Sequence, residues 1–282
     1  MEEPPRRVTI HDLAAMKRAG RKIAMITAYD APFAALVDRA GVDAILVGDS
    51  VGKVLAGEET TLPVTLEQMI YHGRMVCRGV TRALVVVDLP FLSYQVSPEE
   101  ALRNAGRVLQ QTGASAVKLE GGAEVVPAIE SMVGAGIPVM GHLGFTPQSV
   151  HALAGAEAQG TREAAVRRLV EDARALEAAG AFGAVVALVP AAVGERLSAS
   201  VSLPIIGFGA GDRCDGQVMV LHDMLGLNDG SPVYFLEKPY ADLGSAVREA
   251  VQEYVQEVRG TGAAGARVGA GPASGEDPPR LH

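Results

Sequence analysis

Several features that mark common protein classes are missing from this chain. It has no tryptophan, only two cysteines, and 4% aromatic residues among its 282. The cysteines, Cys77 and Cys214, form no CxxC motif and are too few to complete a zinc ligand set. They predict two reduced thiols, as is usual in the cytoplasm.

An excess of positive charge is missing as well. The chain has 25 Lys and Arg against 33 Asp and Glu, giving a formal net charge of -8. This balance argues against a nucleic-acid surface, which needs clustered cations, and against binding to anionic membranes. No apolar run approaches the roughly 20 residues of a membrane span, and the N-terminus lacks the apolar segment of a signal peptide. We therefore expect a cytoplasmic protein without nucleic-acid or membrane partners.

What the chain does contain is a repeated alternation of short apolar runs and helical patterns. Ser97, Pro98 and Gly113 predict the ends of one helix, and Thr161 and Gly180 those of another. The apolar runs are continuous, which is typical of parallel strands covered on both faces. The pattern predicts an α/β fold and is compatible with either a (β/α)8 barrel or a doubly wound sheet.

Composition divides the chain into three parts. Residues 1–7 form a polar lead-in, and residues 8–258 carry the strand and helix patterns of the catalytic domain. Residues 259–282 are rich in Gly, Ala and Pro without apolar periodicity. Such a segment buries too little apolar surface to offset its ordering entropy, so we predict a disordered tail.

Three apolar runs end in an acid. Asp49 follows "AILVG", Asp88 follows "ALVVV" and Glu120 follows "AVKL". In a barrel the carboxyl ends of the strands meet at one mouth, where catalytic residues lie. One such acid alone is more often the cap of the next helix, but three that converge repel one another unless a cation joins them. All-oxygen ligands favour a hard divalent ion such as Mg2+.

Other polar residues accompany these acids. Lys118 precedes Glu120 by two positions and shares its face of the strand, either as an ion-pair partner or as a ligand of a substrate carboxylate or enolate. His142 follows "IPVMG" and Ser50 follows Asp49, and each has a structural interpretation beside the functional one. A Mg2+ ion bound to an α-keto acid would acidify the adjacent C–H, which favours enolate or C–C bond chemistry. The pattern offers no obvious general base.

Longer stretches resemble one known family. They include "MITAYDAPFAALVDRAGVDAILVGDSVG", "VVVDLPFLSY", "AVKLEGG", "IPVMGHLGFTPQSV" and "PIIGFGAGDRCDGQVMVLHDMLGL". From Val8 to Val258 the chain is similar to ketopantoate hydroxymethyltransferases. The resemblance implies a (β/α)8 TIM barrel of the phosphoenolpyruvate mutase/isocitrate lyase superfamily, assembled as a homodecamer. It also implies transfer of a hydroxymethyl group from 5,10-methylenetetrahydrofolate to 3-methyl-2-oxobutanoate, giving 2-dehydropantoate in the first step of pantothenate biosynthesis.

The resemblance also implies roles for individual residues. The Mg2+ site would comprise Asp49, Asp88 and Glu120. The substrate would contact Asp49, Ser50, Asp88, Lys118 and His142.

One departure from the family pattern concerns the proton acceptor. Where the family has a glutamate before "xVP", this chain has Ala187, whose methyl group accepts no proton. His142 is a possible substitute, and Glu195 a weaker one. Phe208 replaces a smaller aliphatic residue, and Lys53 replaces a methionine near the expected mouth.

These departures leave three hypotheses. The first is a hydroxymethyltransferase slowed by loss of a general base, typically on the order of 10²–10⁴ in rate. The second is a Mg2+-dependent lyase or decarboxylase of α-keto acids. The third is an impaired paralogue that binds Mg2+ and a keto acid without turnover.

Overall fold

Eight parallel strands close into a barrel in chain order. The computed structural model describes residues 6–152, 160–228 and 239–260. The strands are β1 (Ile23–Thr27), β2 (Ala44–Val47), β3 (Leu84–Asp88), β4 (Ala116–Lys118), β5 (Val139–Gly144), β6 (Gly183–Ala187), β7 (Ile205–Phe208) and β8 (Gly216–Met219). The β1–β8 pairing closes the sheet, which decides between the two predicted α/β folds in favour of the (β/α)8 barrel.

Helices follow most strands and form the outer layer. They are α1 (Ile10–Arg18), α2 (Ala31–Arg39), α3 (Val51–Val54), α4 (Leu66–Gly79), α5 (Pro98–Thr112), α6 (Val126–Gly134), α7 (Glu163–Ala178), α8 (Ala191–Ser200), α9 (Leu221–Met224) and α10 (Leu243–Val258). Two 3-10 turns lie at Ala123–Val125 and Pro147–Ser149. No helix of the described residues has the length and hydropathy to cross a bilayer.

The predicted ends of one helix are confirmed and those of another need correction. In α5 the Ser97 side chain accepts from the Glu100 N–H, Pro98 is the first helical residue, and Gly113 ends the helix with φ 79°. In α7 the predicted Thr161 cap is wrong, because Arg162 is the last extended residue and its side chain makes no capping hydrogen bond. Gly180 follows the C-cap at φ 89°, in the conformation that glycine favours.

Two apolar clusters fill the structure. The outer cluster joins the helices to the outward faces of the strands. The inner cluster fills the barrel with the alternate strand residues, among them Met25, Leu46, Val86, Ala116, Met140, Val185, Ile206 and Val218. Side chains of alternate strand residues therefore point inward, which also settles the direction of residues nearer the mouth.

Helix α1 closes the barrel at the end opposite the mouth. Its buried residues Leu13 and Met16 belong to the inner cluster. A capping box between Thr9 and Asp12 fixes its first turn. The predicted polar lead-in, residues 1–7, and the predicted tail, residues 259–282, fall almost wholly outside the described residues, which exclude residues 1–5 and 261–282.

Candidate active site

The carboxyl ends of β3 and β4 hold a buried ion pair. Asp88 and Lys118 are register partners in these strands, and the Lys118 Nζ lies 2.7 Å from Asp88 Oδ1. Both side chains are about 4% exposed. An ion pair so far from water is stable only with good geometry and further polar partners, and both residues have them.

Asp49 lies against this pair just after β2. Its backbone N–H donates to Asp88 Oδ2 at 3.1 Å. Gly48 permits the approach, because a Cβ there would lie 2.8 Å from Ser50 Oγ and 3.5 Å from Asp88 Oδ2. Ser50 occupies the N-cap position of α3 without making a capping hydrogen bond. Its hydroxyl lies 2.8 Å from the hydroxyl of Tyr29 instead, so the capping interpretation of Ser50 is wrong.

Glu120 and His142 complete the cluster from the ends of β4 and β5. The Nδ1 atom of His142 lies 3.3 Å from Glu120 Oε1 and 3.4 Å from Lys118 Nζ. His142 is 6% exposed, and its other ring nitrogen, Nε2, has no hydrogen-bond partner among the described residues. A buried ring nitrogen without a partner is uncommon in a purely structural histidine and marks a place for a ligand.

Gln148 and Tyr94 tie the cluster together, and sequence reasoning missed both. The Gln148 side chain donates to Asp49 Oδ2 at 2.9 Å, and its backbone N–H donates to Glu120 Oε2 at 3.0 Å. Tyr94 donates to Gln148 Oε1 at 2.7 Å and accepts from the Glu120 N–H at 3.1 Å. Tyr94 lies in the loop after β3 and Gln148 in the 3-10 turn after β5, so strand periodicity gave no signal for either. The sequence cue is that Gln148 follows β5 by four positions.

The electrostatics of the cluster are dominated by burial and by an excess of negative charge. Burial raises the pKa of Asp49, and repulsion from Asp88 and Glu120 raises it further. Burial also raises the pKa of Glu120. For Lys118 burial lowers the pKa, but attraction by Asp88, Glu120 and Asp49 outweighs it and the net pKa is raised. Burial and the charge of Lys118 lower the pKa of His142 to about 3, so its imidazole is neutral near pH 7.

The donor set fits a hard divalent cation. Ionisation of Asp49, Asp88 and Glu120 against the single charge of Lys118 leaves two negative charges uncompensated. Repulsion from Asp88 and Glu120 adds to burial in raising the pKa of Asp49. The described residues hold no group of three His, Cys, Asp or Glu side chains arranged as metal ligands. Mg2+ commonly takes only one or two carboxylates and fills its shell with water and substrate oxygens, so this arrangement suits it.

The β6 side of the mouth is apolar. Ala187 ends β6 facing the interior and is 2% exposed. The next residue, Leu188, has φ 49°, an unfavourable conformation for a residue with a side chain.

Glu195 is exposed on α8, outside the buried cluster, which removes it as a proton acceptor. Lys53 is exposed on α3, and its charge acts on Asp223 rather than on the buried acids.

Comparison with known proteins identifies close relatives in sequence. The family model described as ketopantoate hydroxymethyltransferase matches residues 7–262. A 3-methyl-2-oxobutanoate hydroxymethyltransferase of Syntrophus aciditrophicus is 50% identical over 90% of this chain and 93% of its own length. One of Parabacteroides distasonis is 51% identical over the same shares.

Solved structures agree in fold at much lower identity. A 2,3-dimethylmalate lyase of the PEP mutase/isocitrate lyase superfamily superposes with a TM-score of 0.57 at 15% identity, covering 92% of this chain and 90% of that chain. This likeness supports the barrel architecture.

Proposed function

Because the chain belongs to the ketopantoate hydroxymethyltransferase family, we propose that it transfers a hydroxymethyl group from 5,10-methylenetetrahydrofolate to 3-methyl-2-oxobutanoate. One observation supports this most. Asp49, Asp88, Glu120, Lys118 and His142 come from four strand ends and lie in one buried, hydrogen-bonded cluster. The product, 2-dehydropantoate, would enter pantothenate biosynthesis as its first committed intermediate.

In this proposal Asp49, Asp88 and Glu120 form the Mg2+ site, with one or two of these carboxylates as direct ligands and the remainder acting through bound water. When bound, the ion would polarise the keto acid carbonyl and acidify the C–H at C3. Lys118 is fixed by Asp88 at 2.7 Å and supplies a positive charge to the carboxylate and to the enolate oxygen that develops next to it. Ser50, held by Tyr29, contacts the same substrate at the rim of the cluster.

This chain differs from its family pattern in the residue that would accept the proton from the substrate. Ala187 has no group for it, and we propose that the Nε2 atom of His142 takes this role, since it is buried and without a partner among the described residues. Nε2 is free to accept a proton in the tautomer whose Nδ1 donates to Glu120 Oε1 at 3.3 Å, and not in the one whose Nδ1 accepts from Lys118 Nζ at 3.4 Å. A base of such low pKa is weak, so slow turnover is expected.

Turnover of the purified protein with Mg2+, 3-methyl-2-oxobutanoate and 5,10-methylenetetrahydrofolate tests the proposal. We expect activity above background and a faster Ala187→Glu variant, made alone and with Phe208→Leu because Ala187 is nearly fully covered. If the keto acid binds by calorimetry but no variant turns over, the impaired paralogue is the better description. Turnover by the parent with no gain from either variant would mean that proton transfer is not limiting.

A keto acid lyase is the second candidate function. The apolar end of β6 favours it, because cleavage of a C–C bond to an enolate needs no acceptor at Ala187. A panel of substituted α-keto acids and malates, assayed for pyruvate or CO2 release, distinguishes the two; release without folate dependence supports the lyase.

We further propose that the chain acts as a homo-oligomer in the cytoplasm, a decamer by resemblance. Helix α10 buries none of its residues, and Val247, Val251, Tyr254 and Val258 form an apolar stripe along it, each 55% to 62% exposed. A second copy of the chain would cover this stripe. Light scattering of the parent and of Val251→Asp tests this, with a smaller particle expected for the variant.

The unpaired thiols of Cys77 and Cys214 agree with a reducing compartment.

A further inference from the structure

The carboxyl ends of β6 and β7 form an apolar wall inside the barrel mouth. Val185, Ile206 and Phe208 pack in the inner cluster, so the alternate residues of both strands face inward, Ala187 among them. Ala187 and Phe208 are register partners in adjacent parallel strands. We call Val185, Ala187 and Phe208 the apolar wall.

Phe208 is the large member of this wall. Ala187 lies at the end of its strand and is nevertheless only 2% exposed, whereas the Phe208 side chain is half-buried. The residue paired with Ala187 on the β7 side is Phe208, the one large side chain among the three residues of the wall. On the β5 side the partner of Ala187 is Gly144, which has no side chain.

The backbone fixes these positions firmly. The Phe145 N–H donates to the Ala187 carbonyl, and the Leu188 N–H donates to the Phe208 carbonyl, both at 2.8 Å. Gly144 has φ 88°, and a Cβ there would lie 2.3 Å from the Ala187 oxygen. Position 144 therefore stays small, Ala187 carries only a methyl group, and the phenyl ring of Phe208 sets the space left on this side of the mouth.

We propose that Phe208 determines the size of the apolar substituent at C3 of the keto acid that the site accepts. This inference rests on the proposed function. The charged cluster from β2 to β5 suits the carboxylate and carbonyl end of such a molecule, while the apolar wall suits its alkyl end. A ring held at the rim leaves room for a small branched group and limits a longer one.

Two keto acids that differ by one methylene test this. Binding of 3-methyl-2-oxobutanoate and 3-methyl-2-oxopentanoate is measured by calorimetry in the presence of Mg2+, in the parent and in Phe208→Ala. One methylene in an apolar pocket changes affinity by roughly 10–200-fold, so we expect Phe208→Ala to shift the affinity ratio at least about tenfold towards the longer acid. Phe208→Leu, which perturbs folding less, should shift the ratio in the same direction by less.

Phe182 is the matched control. It precedes β6, so it lies at the opposite end of the barrel, and it packs against the same inner cluster. Phe182→Ala removes the same ring from that cluster and should leave the affinity ratio unchanged. A reverse substitution, Ala187→Ile, adds bulk to the apolar wall and should weaken binding of the longer acid more than that of the shorter one.

The outcomes separate this inference from the proposed function. If the parent binds neither keto acid, both fail together. If it binds them and the ratio is the same in Phe208→Ala and Phe208→Leu as in the parent, only the inference about Phe208 is wrong. A shift of equal size in Phe182→Ala would also overturn it, because the effect would then come from general loosening of the inner cluster.

Discussion

The two ends of the barrel each hold a lysine against an aspartate, partly buried at the closed end and fully buried at the mouth. At the closed end Lys17 lies 2.8 Å from Asp215 and also donates to the carbonyls of Ser198 and Leu203, while the Ile205 N–H donates to Asp215. In this pair the lysine charge balances the aspartate charge, and neutral backbone groups supply the other hydrogen bonds of the two side chains. At the mouth Lys118 faces Asp88 together with two further carboxylates.

The charge balance around each pair distinguishes structural from functional charged residues in this fold. The Lys17–Asp215 pair is electrically complete and joins α1 to β7 and β8. The mouth cluster is not balanced in this way, since burial raises the pKa values of Asp49 and Glu120 and repulsion from Asp88 and Glu120 raises that of Asp49 further. A folded protein keeps an unbalanced cluster of buried carboxylates where a cation or substrate supplies the missing positive charge, which is typical of an active site.

Replacement of the lysine at each end tests this comparison with the largest expected effect. Lys118→Met should lower turnover by at least about 100-fold, because the group that stabilises developing negative charge is lost. Lys17→Met should lower the melting temperature while folded protein keeps parental turnover per molecule. Steady-state kinetics and thermal melting measure both, and equal losses of turnover in the two variants would contradict the distinction.

The sequence specified the mouth cluster well for a physical reason. Asp49, Asp88, Glu120, Lys118 and His142 sit at or just beyond strand ends, and parallel strands in a closed barrel must bring those ends together. Apolar runs locate such strands from sequence alone. The direction of each side chain then follows from alternation along the strand.

Sequence reasoning failed where position depends on loop paths or on weak patterns. Gln148 reaches Asp49 and Glu120 from a loop with no periodicity to locate it. Strand β8 gives little sequence signal, because it is four residues long and includes glycine and an exposed glutamine. Thr161 has the right chemistry for a cap, but the backbone becomes helical only after Arg162.

A second prediction concerns Asp38, a buried carboxylate at the closed end. Its oxygens accept from the backbone N–H groups of Thr81, Arg82 and Ala83 and from the Thr81 hydroxyl. Asp38→Ala leaves these donors without their acceptor, and we expect a loss of about 2 kcal/mol or more. Thermal melting should show a drop of several degrees with turnover of the folded protein unchanged. A loss of turnover without loss of stability would place Asp38 among the functional acids instead.

Gln148 offers a third test, at the mouth and with a smaller effect. Gln148→Met keeps the backbone N–H that donates to Glu120 but removes the amide that donates to Asp49. A hydrogen bond to a charged group contributes about 1.5–3 kcal/mol, so turnover should fall by roughly tenfold or more. Gln95→Met is the control, because Gln95 is exposed, donates to Gln148 and accepts from the Tyr94 N–H. Parental turnover in Gln148→Met would show that Asp49 needs no such support.

The smallest expected effect is the pH dependence of the Asp38 contribution. Burial raises the pKa of Asp38, but the donors from Thr81, Ala83 and Arg82 outweigh burial and hold the pKa below its usual value. Because the folded-state pKa lies below the unfolded value of about 3.9, this stabilisation is complete above about pH 5 and is lost as the pH falls through the folded-state pKa. The difference in melting temperature between the parent and Asp38→Asn should therefore shrink on acidification from about pH 7 to about pH 3. Asp43→Asn serves as the comparison, because the Asp43 carboxylate accepts from the Ala24 N–H at a more exposed position. A difference that grew on acidification would mean that Asp38 is protonated in the folded protein, which would make the two ends of the barrel alike.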